Sequence, residues 1–459
     1  MKRMKTWNQL FVRHGWAMEM IEENLFNCKY ETKANLAFLF DCLKEAGVQY
    51  QYDGSILELK DNPIGEDMIL PILDFEGRGV TESVGRYEDK EQLALRNLDT
   101  YISGVVRQLV RLGFSTVYSC DGHNRRRPHV AIMKDRDADR LADLLIVLGF
   151  DCTVNSDRKT HDMVYFRTNR TALLDLAETL SLVEPDWMDE DGNFIKEQLF
   201  YVMLEELLNV PGKSGNEKRI RSVVEEKLAP FVDRITTDRH GNLLAEKVYR
   251  SGNGPVIMLN AHLDIVEELV PGRQIVKEAR VWRSDKGILG ADDRAGIAVI
   301  LQIARNLAQS TFSGKVKFVF TVKEECGLVG ASQLDEYFLW DVDVAFVLDR
   351  RGAGDIVTSC GGYIPFCSKE FGRCIEEIAE KTTKGEWACT AGGSSDTRIW
   401  ATHGIQSVNL SVGYQHEHTE DETLDVGVCY QTVELLEEIF EHARNIRATV
   451  RRIGLEDVI

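Results

Sequence analysis

Two adjacent carboxylates, Glu324 and Glu325, follow an apolar run in Lys315 to Gly327 (KVKFVFTVKEECG) and enter a Cys-Gly turn. Like charges a few Å apart do not both stay ionised in a partly dry crevice unless a metal or a base compensates them. Other candidates for the same chemistry lie on both sides in the chain. His262 and Asp264 stand one residue apart in NAHLD, and Asp292 and Asp293 stand together in LGADDRAG. Asp349 closes VAFVL, and His416 and His418 sit in GYQHEHT. Imidazoles and carboxylates together serve zinc well, and a carboxylate behind a ligand histidine fixes its tautomer.

These residues share a position in their elements. Val256 to Leu259, Lys315 to Val322, Val344 to Leu348 and Gln406 to Val412 are apolar runs of strand length, and each delivers one of the groups at its carboxyl end. Open α/β sheets bind ligands there, because the loops leave a crevice held by rigid strands. After Asp292, the positions Ile297, Ile300, Leu301, Ala304, Leu307 and Ala308 keep helical spacing. Taken singly, Asp292 and Asp293 are also a good helix cap, the glutamates a solvated turn, and His262 an interior histidine. Those readings leave the shared placement at strand exits unexplained.

The segments NAHLD, LGADDRAG, KEECGLVGA, VLDR, GGSSDTRIW and GYQHEHTEDE, in that order, resemble the di-zinc exopeptidases. That family includes peptidase T, bacterial-type leucyl aminopeptidases, carboxypeptidase G and the acetylornithine deacetylases. The resemblance covers roughly the last 260 residues. It implies an α/β catalytic domain with a mixed, mostly parallel sheet flanked by helices, and two Zn2+ ions, with Co2+ or Mn2+ as substitutes. It also implies that His262, Glu325, Asp349 and His418 are metal ligands, that Asp292 bridges the metals, and that Asp264 orients His262. Residue chemistry alone does not choose between Glu324 and Glu325 as general base; the order in the family motif assigns the first. The family's spacing before His-Thr selects His418 over His416.

PxxSGNE at Pro211 to Glu217 resembles the family's opening, with Ser214 and Glu217 spaced as a capping box. It sets the catalytic domain at 195–459, after an acidic boundary at Glu184 to Gly192. Asn242-Leu243 is expected to belong to a framework hairpin. Many relatives insert a dimerisation or lid domain after the position of Asp349, or a β-domain between the first His and the bridging Asp; here both intervals are too short. The N-terminal domain is therefore expected to take the lid or specificity role. Arg350 could pair with a substrate carboxylate or offset the site's own acids. Asp396, in GGSSD, could hold a substrate amine or cap the following helix.

The remaining 1–190 reads as a smaller α+β domain. FVRHGWAMEMIEENLF and KANLAFLFDCLKEAG read as helices before a strand-like YQYDGSILELK. About thirty acid-rich residues lead to a long amphipathic helix, LALRNLDTYISGVVRQLVRLG, and an αββαββα order follows. Its one dense polar cluster is Cys120, Asp121, His123, Arg125, Arg126, Arg127 and His129. An accessory metal site, an anion pocket and a plain solvated loop all fit that cluster.

The chain has 459 residues, 44% hydrophobic and 28% charged, with a formal net charge of −19. That balance argues against nucleic-acid binding by the whole surface. No apolar run approaches the roughly 20 residues of a membrane helix, and Met1 to Leu10 lacks the apolar core of a signal peptide. The ten cysteines form no CxxC and no dense framework, as expected in a reducing cytoplasm. Acidic relatives often assemble, so a homo-oligomer is compatible with the sequence, although no interface is legible. The expected function is a zinc exopeptidase releasing N-terminal residues from oligopeptides. The alternatives are an N-acyl amino acid deacylase or carboxypeptidase on the same metals, and a non-catalytic binding or sensor protein.

Overall fold

A computed structural model describes residues 5–76, 78–79, 94–134, 138–382 and 385–456. The chain divides into two compact units, 1–199 and 200–459. The division falls within the helix Gly192–Leu208 and not in the acidic stretch before it.

In the first unit, one antiparallel sheet has the order Glu19–Glu22, Leu25–Asn27, Ile56–Leu59, Tyr50–Tyr52. A second has the order Thr116–Cys120, His129–Met133, His161–Phe166, Cys152–Asn155. With helices Ser103–Arg111, Ala138–Val147 and Ala172–Leu180, the second sheet realises the αββαββα order read from the sequence. Two expected helices are shorter than their patterns. Trp7–His14 opens on a Thr6/Gln9 capping box and stops at Gly15, whose φ of 97° is a left-handed conformation that glycine tolerates. The rest of that apolar-rich run forms the hairpin Glu19–Asn27 instead. The second pattern gives a 3-10 turn at Leu95–Asn97 and a helix only from Ser103. Between them the Arg78 guanidinium takes the carbonyls of Leu95 and Leu98 as acceptors. The acid-rich stretch contains a helix, Glu66–Leu73; residues 80–93 lie outside the described residues.

The second unit is built on a nine-stranded mixed sheet. Its centre is four parallel strands in the order Gly314–Thr321, Val256–His262, Val344–Arg350, Gln406–Ser411. Antiparallel strands flank them: Leu243–Tyr249 on one side and Asp355–Cys360 on the other. The near-continuous apolar composition of the central strands follows from burial on both faces. Ile257, Leu259, Phe318, Phe346 and Leu348 share a core with helix Ala291–Leu307, whereas Met258, Val319, Ala345 and Val347 pack with Leu339 and Trp400 on the other side. Each fully buried large apolar side chain stabilises by ~1.5–3 kcal/mol relative to exposure.

Candidate active site

All four parallel strands point their carboxyl ends at one place. The strand Val256–His262 ends on His262, and Val344–Arg350 carries Asp349 as its penultimate residue. Glu324 and Glu325 follow Gly314–Thr321, and the loop after Gln406–Ser411 brings Tyr414 and His418. Asp292 and Asp293 precede the regular part of helix Ala291–Leu307; neither has helical dihedral angles, and the peptide joining them is cis.

Asp292 stands between the two histidines. Its Oδ1 lies 2.9 Å from His262 Nε2, and its Oδ2 lies 3.1 Å from His418 Nε2. Asp349 Oδ1 is 3.7 Å from His262 Nε2, and Glu325 Oε1 is 2.8 Å from His418 Nε2. Two groups of possible ligands result, His262/Asp292/Asp349 and Asp292/Glu325/His418, with donor atoms in each within 4.8 Å of one another. Glu324 forms a third such group with His262 and Glu325. The first group is buried; His418 is 47% exposed in its side chain, so the second group faces the open side of the site.

The supports around these groups are as specific as the groups themselves. Asp264 accepts from the backbone N–H of Glu324 at 2.9 Å, from that of Glu325 at 3.2 Å, and from Ser214 Oγ at 2.7 Å. Toward His262, the main chain of Asp264 comes closer than its carboxylate. His262 Nδ1 lies 3.0 Å from the Asp264 carbonyl oxygen, with the carboxylate at 3.6 Å. That carbonyl can only accept, so Nδ1 carries a proton, and Nε2 is the nitrogen turned to Asp292. Ser214 is not the helix cap that its spacing suggests; helix Lys218–Leu228 starts after Glu217. Asn242 has the framework role expected of it: it accepts from Val322 N–H and donates to the Gly330 carbonyl, bracketing the turn that carries the glutamates.

Several supports, Asp293 apart, were not singled out as functional in the sequence. Tyr414 donates its hydroxyl to Asp349 Oδ1 at 2.9 Å, and Asn409 Oδ1 accepts from Asp349 N–H at 2.9 Å. Buried Glu422 accepts from the N–H groups of Gly290 and Asp292. Asp293 accepts from His262 N–H and Gly296 N–H. Arg294, fully inside, donates to the carbonyls of Leu263 and Val210. All but Asn409 lie in the quoted motifs, and Asn409 lies in the stretch joining the last two. A polar residue beside a ligand motif, in a segment that must be buried, was the available signal.

The electrostatics describe a site crowded with acids. Burial opposes charge on His262, but Asp264, Asp292 and Asp349 outweigh it and raise its pKa well above the usual value. Hydrogen bonds to Asp292 and Glu325 push His418 up to about 10. Burial lifts Glu324 to about 10, helped by Asp349, Asp396 and Glu325 and opposed by His262. Burial likewise lifts Asp349 to about 7. Asp292, despite burial, is held below the usual carboxylate range by its bonds to the two histidines. Protons thus gather where cations would neutralise the same acids. The donor set, two imidazoles and three carboxylates with one carboxylate shared, fits two divalent ions of the zinc type.

The two expected substrate residues are occupied within the chain. Arg350 Nε donates to Asp355 Oδ2 at 2.8 Å, an acid in none of the ligand groups among the described residues. Asp396 is buried and accepts from Thr321 Oγ1 at 2.5 Å; the cap of helix Asp396–Thr402 is Ser395. His416 is exposed and in none of the close ligand groups among the described residues.

Residues 242–440 match the family model described as peptidase family M28. The chain is a peptidase hydrolase. The matched segment holds every acid and histidine of the site described above; of the supports named, only Ser214 and Val210 precede it. A relative from Acetivibrio thermocellus with a provisional aminopeptidase name is 24% identical over 53% of this chain and 99% of its own. The uncharacterized protein YqjE of Bacillus subtilis is 29% identical over 52% of this chain and 96% of its own. Among solved structures, aminopeptidase PepT from Bacillus cereus has 21% identity and a TM-score of 0.49, covering 54% of this chain and 99% of that one.

Proposed function

We propose that the peptidase unit is a two-zinc aminopeptidase that releases N-terminal residues from oligopeptides. The observation that carries the reading is the division of Asp292, with one oxygen turned to His262 and the other to His418. His262 and Asp349 would hold one ion, Glu325 and His418 the other, and Asp292 both. Bound there, the ions supply Lewis acidity that acidifies water and polarises a peptide carbonyl. Glu324, presented by the turn that Asp264 holds, takes a proton from the attacking water and delivers it to the departing amine. Glu325 is the ligand of the pair because its carboxylate is the one against His418. The aminopeptidase direction is supported by the names of the relatives.

The test is mass spectrometry of a defined peptide mixture, free and N-acetylated, incubated with the metal-stripped chain with and without zinc. Stepwise loss from free N-termini only, and only with zinc, is expected. Cleavage of blocked peptides or from C-termini would reassign the site to deacylase or carboxypeptidase action. No cleavage in either condition would remove the peptidase mechanism altogether.

A further inference from the structure

The first unit contains a second group of metal-type donors, far in sequence from the peptidase motifs. Asp99, Cys120 and His123 offer a carboxylate oxygen, a thiol sulfur and an imidazole nitrogen within 4.8 Å of one another. All three line a cavity of about 870 Å³, whose wall also includes Arg126, Arg127 and Tyr165. Cys120 ends the strand Thr116–Cys120, and His123 lies in the turn leading to His129–Met133, so a strand pair fixes two of the donors.

Two further observations separate this group from a chance cluster. Asp99 is 5% exposed, and its Oδ1 has no hydrogen-bond partner among the described residues, while its Oδ2 accepts from Asp121 N–H at 3.0 Å. A buried carboxylate oxygen left without a donor is costly unless something cationic meets it. The imidazole of His123 is backed as ligand histidines are: Nδ1 faces Asp121 Oδ1 at 3.5 Å, and Nε2 faces Asp99 Oδ2 at 3.4 Å. Gly122 N–H and Arg126 Nη2 also point at Cys120 Sγ, at 3.4 and 3.3 Å, the contacts that a thiolate would receive.

We propose that Asp99, Cys120 and His123 bind a divalent cation of the zinc class, a metal site formed by residues of the first unit alone on the wall of this cavity. Three mixed N, O and S ligands with one free position match a zinc site that accepts an exchangeable ligand. Metal entry replaces the proton of the Cys120 thiol, which leaves to solvent as the S–metal bond forms.

Cobalt(II) distinguishes this site, because none of the proposed peptidase ligands is a cysteine. Titrating cobalt into the metal-stripped full chain is expected to give a sulfur-to-cobalt charge-transfer band in the near ultraviolet, displaced by zinc. Cys120→Ser should abolish the band. His123→Ala, at a side chain 52% exposed, should abolish or strongly weaken it and lower bound zinc by one equivalent. Absence of the band from the unsubstituted chain, or its persistence in Cys120→Ser, overturns the assignment. So does unchanged zinc content in His123→Ala. Binding of inorganic phosphate to the metal-free chain, with no cobalt band, would assign the cavity to the arginines instead.

Discussion

At the scale of single residues, the two glutamates that adjacency in sequence could not tell apart stand differently toward His418. Glu325 Oε1 lies against its Nε2, and both glutamates group with His262. Glu324→Gln is expected to keep the full metal content and to lower turnover by roughly 10²–10⁴-fold, the usual share of a general base. Near-normal hydrolysis by that variant, measured beside its zinc content, would sink the role. Zinc loading should also be strongly pH-dependent. In the metal-free chain His262 is raised well above its usual range and His418 stands near 10, so both proposed ligand imidazoles carry an extra proton at neutral pH. Metal must displace them, so affinity rises with pH and falls on acidification. Titration with zinc in weak buffer near pH 7 should therefore acidify the solution; no proton release would contradict the arrangement.

At the scale of elements, Asp264 couples the loop after one strand to the turn after the next. Replacing it by Ala strips the acceptor from the N–H groups of Glu324 and Glu325, at about 1–3 kcal/mol for each buried group left without a partner. Denaturant unfolding of metal-free Asp264→Ala should show a loss of that order, and zinc affinity should fall with it; an unchanged midpoint would mean the turn is held by other contacts. The strand ends were legible because apolar runs of strand length each finished in a metal-type residue, a pattern that both local composition and chemistry register. What escaped was decided by distant partners. Ser214 and Glu217 have the spacing of a cap, but the hydroxyl is taken by Asp264, far along the chain. Trp7 to Phe26 is rich in residues that helices accept, but Gly15 halts the helix and pairing with Leu25–Asn27 makes a strand of Glu19–Glu22. Propensity cannot register a strand partner not yet in place.

At the scale of the molecule, two separately cored units share one chain, and the peptidase match lies wholly in the second. The role of the first in peptide selection remains a proposal, motivated by the short intervals where relatives carry inserted domains. A chain lacking residues 1–190 is expected to change turnover or peptide preference in the same mass-spectrometric assay; a folded truncation with both unaltered would refute it. Among the described residues no helix is long and apolar enough to cross a membrane. The peptidase centre draws on residues from Ser214 to Glu422, nearly the whole extent of its unit. During synthesis, a ribosome-bound chain that has not yet emitted His418 owns only part of the donor set, so early capture of metal by the complete pair of sites is impossible. Ions held as proposed would fasten the strand Val256–His262 to the much later loop carrying His418, adding about 2.7 kcal/mol of resistance to unfolding when free metal is a hundredfold above its dissociation constant. Metal supply to the cell would then set how long each finished copy survives proteolysis, as well as how fast it works.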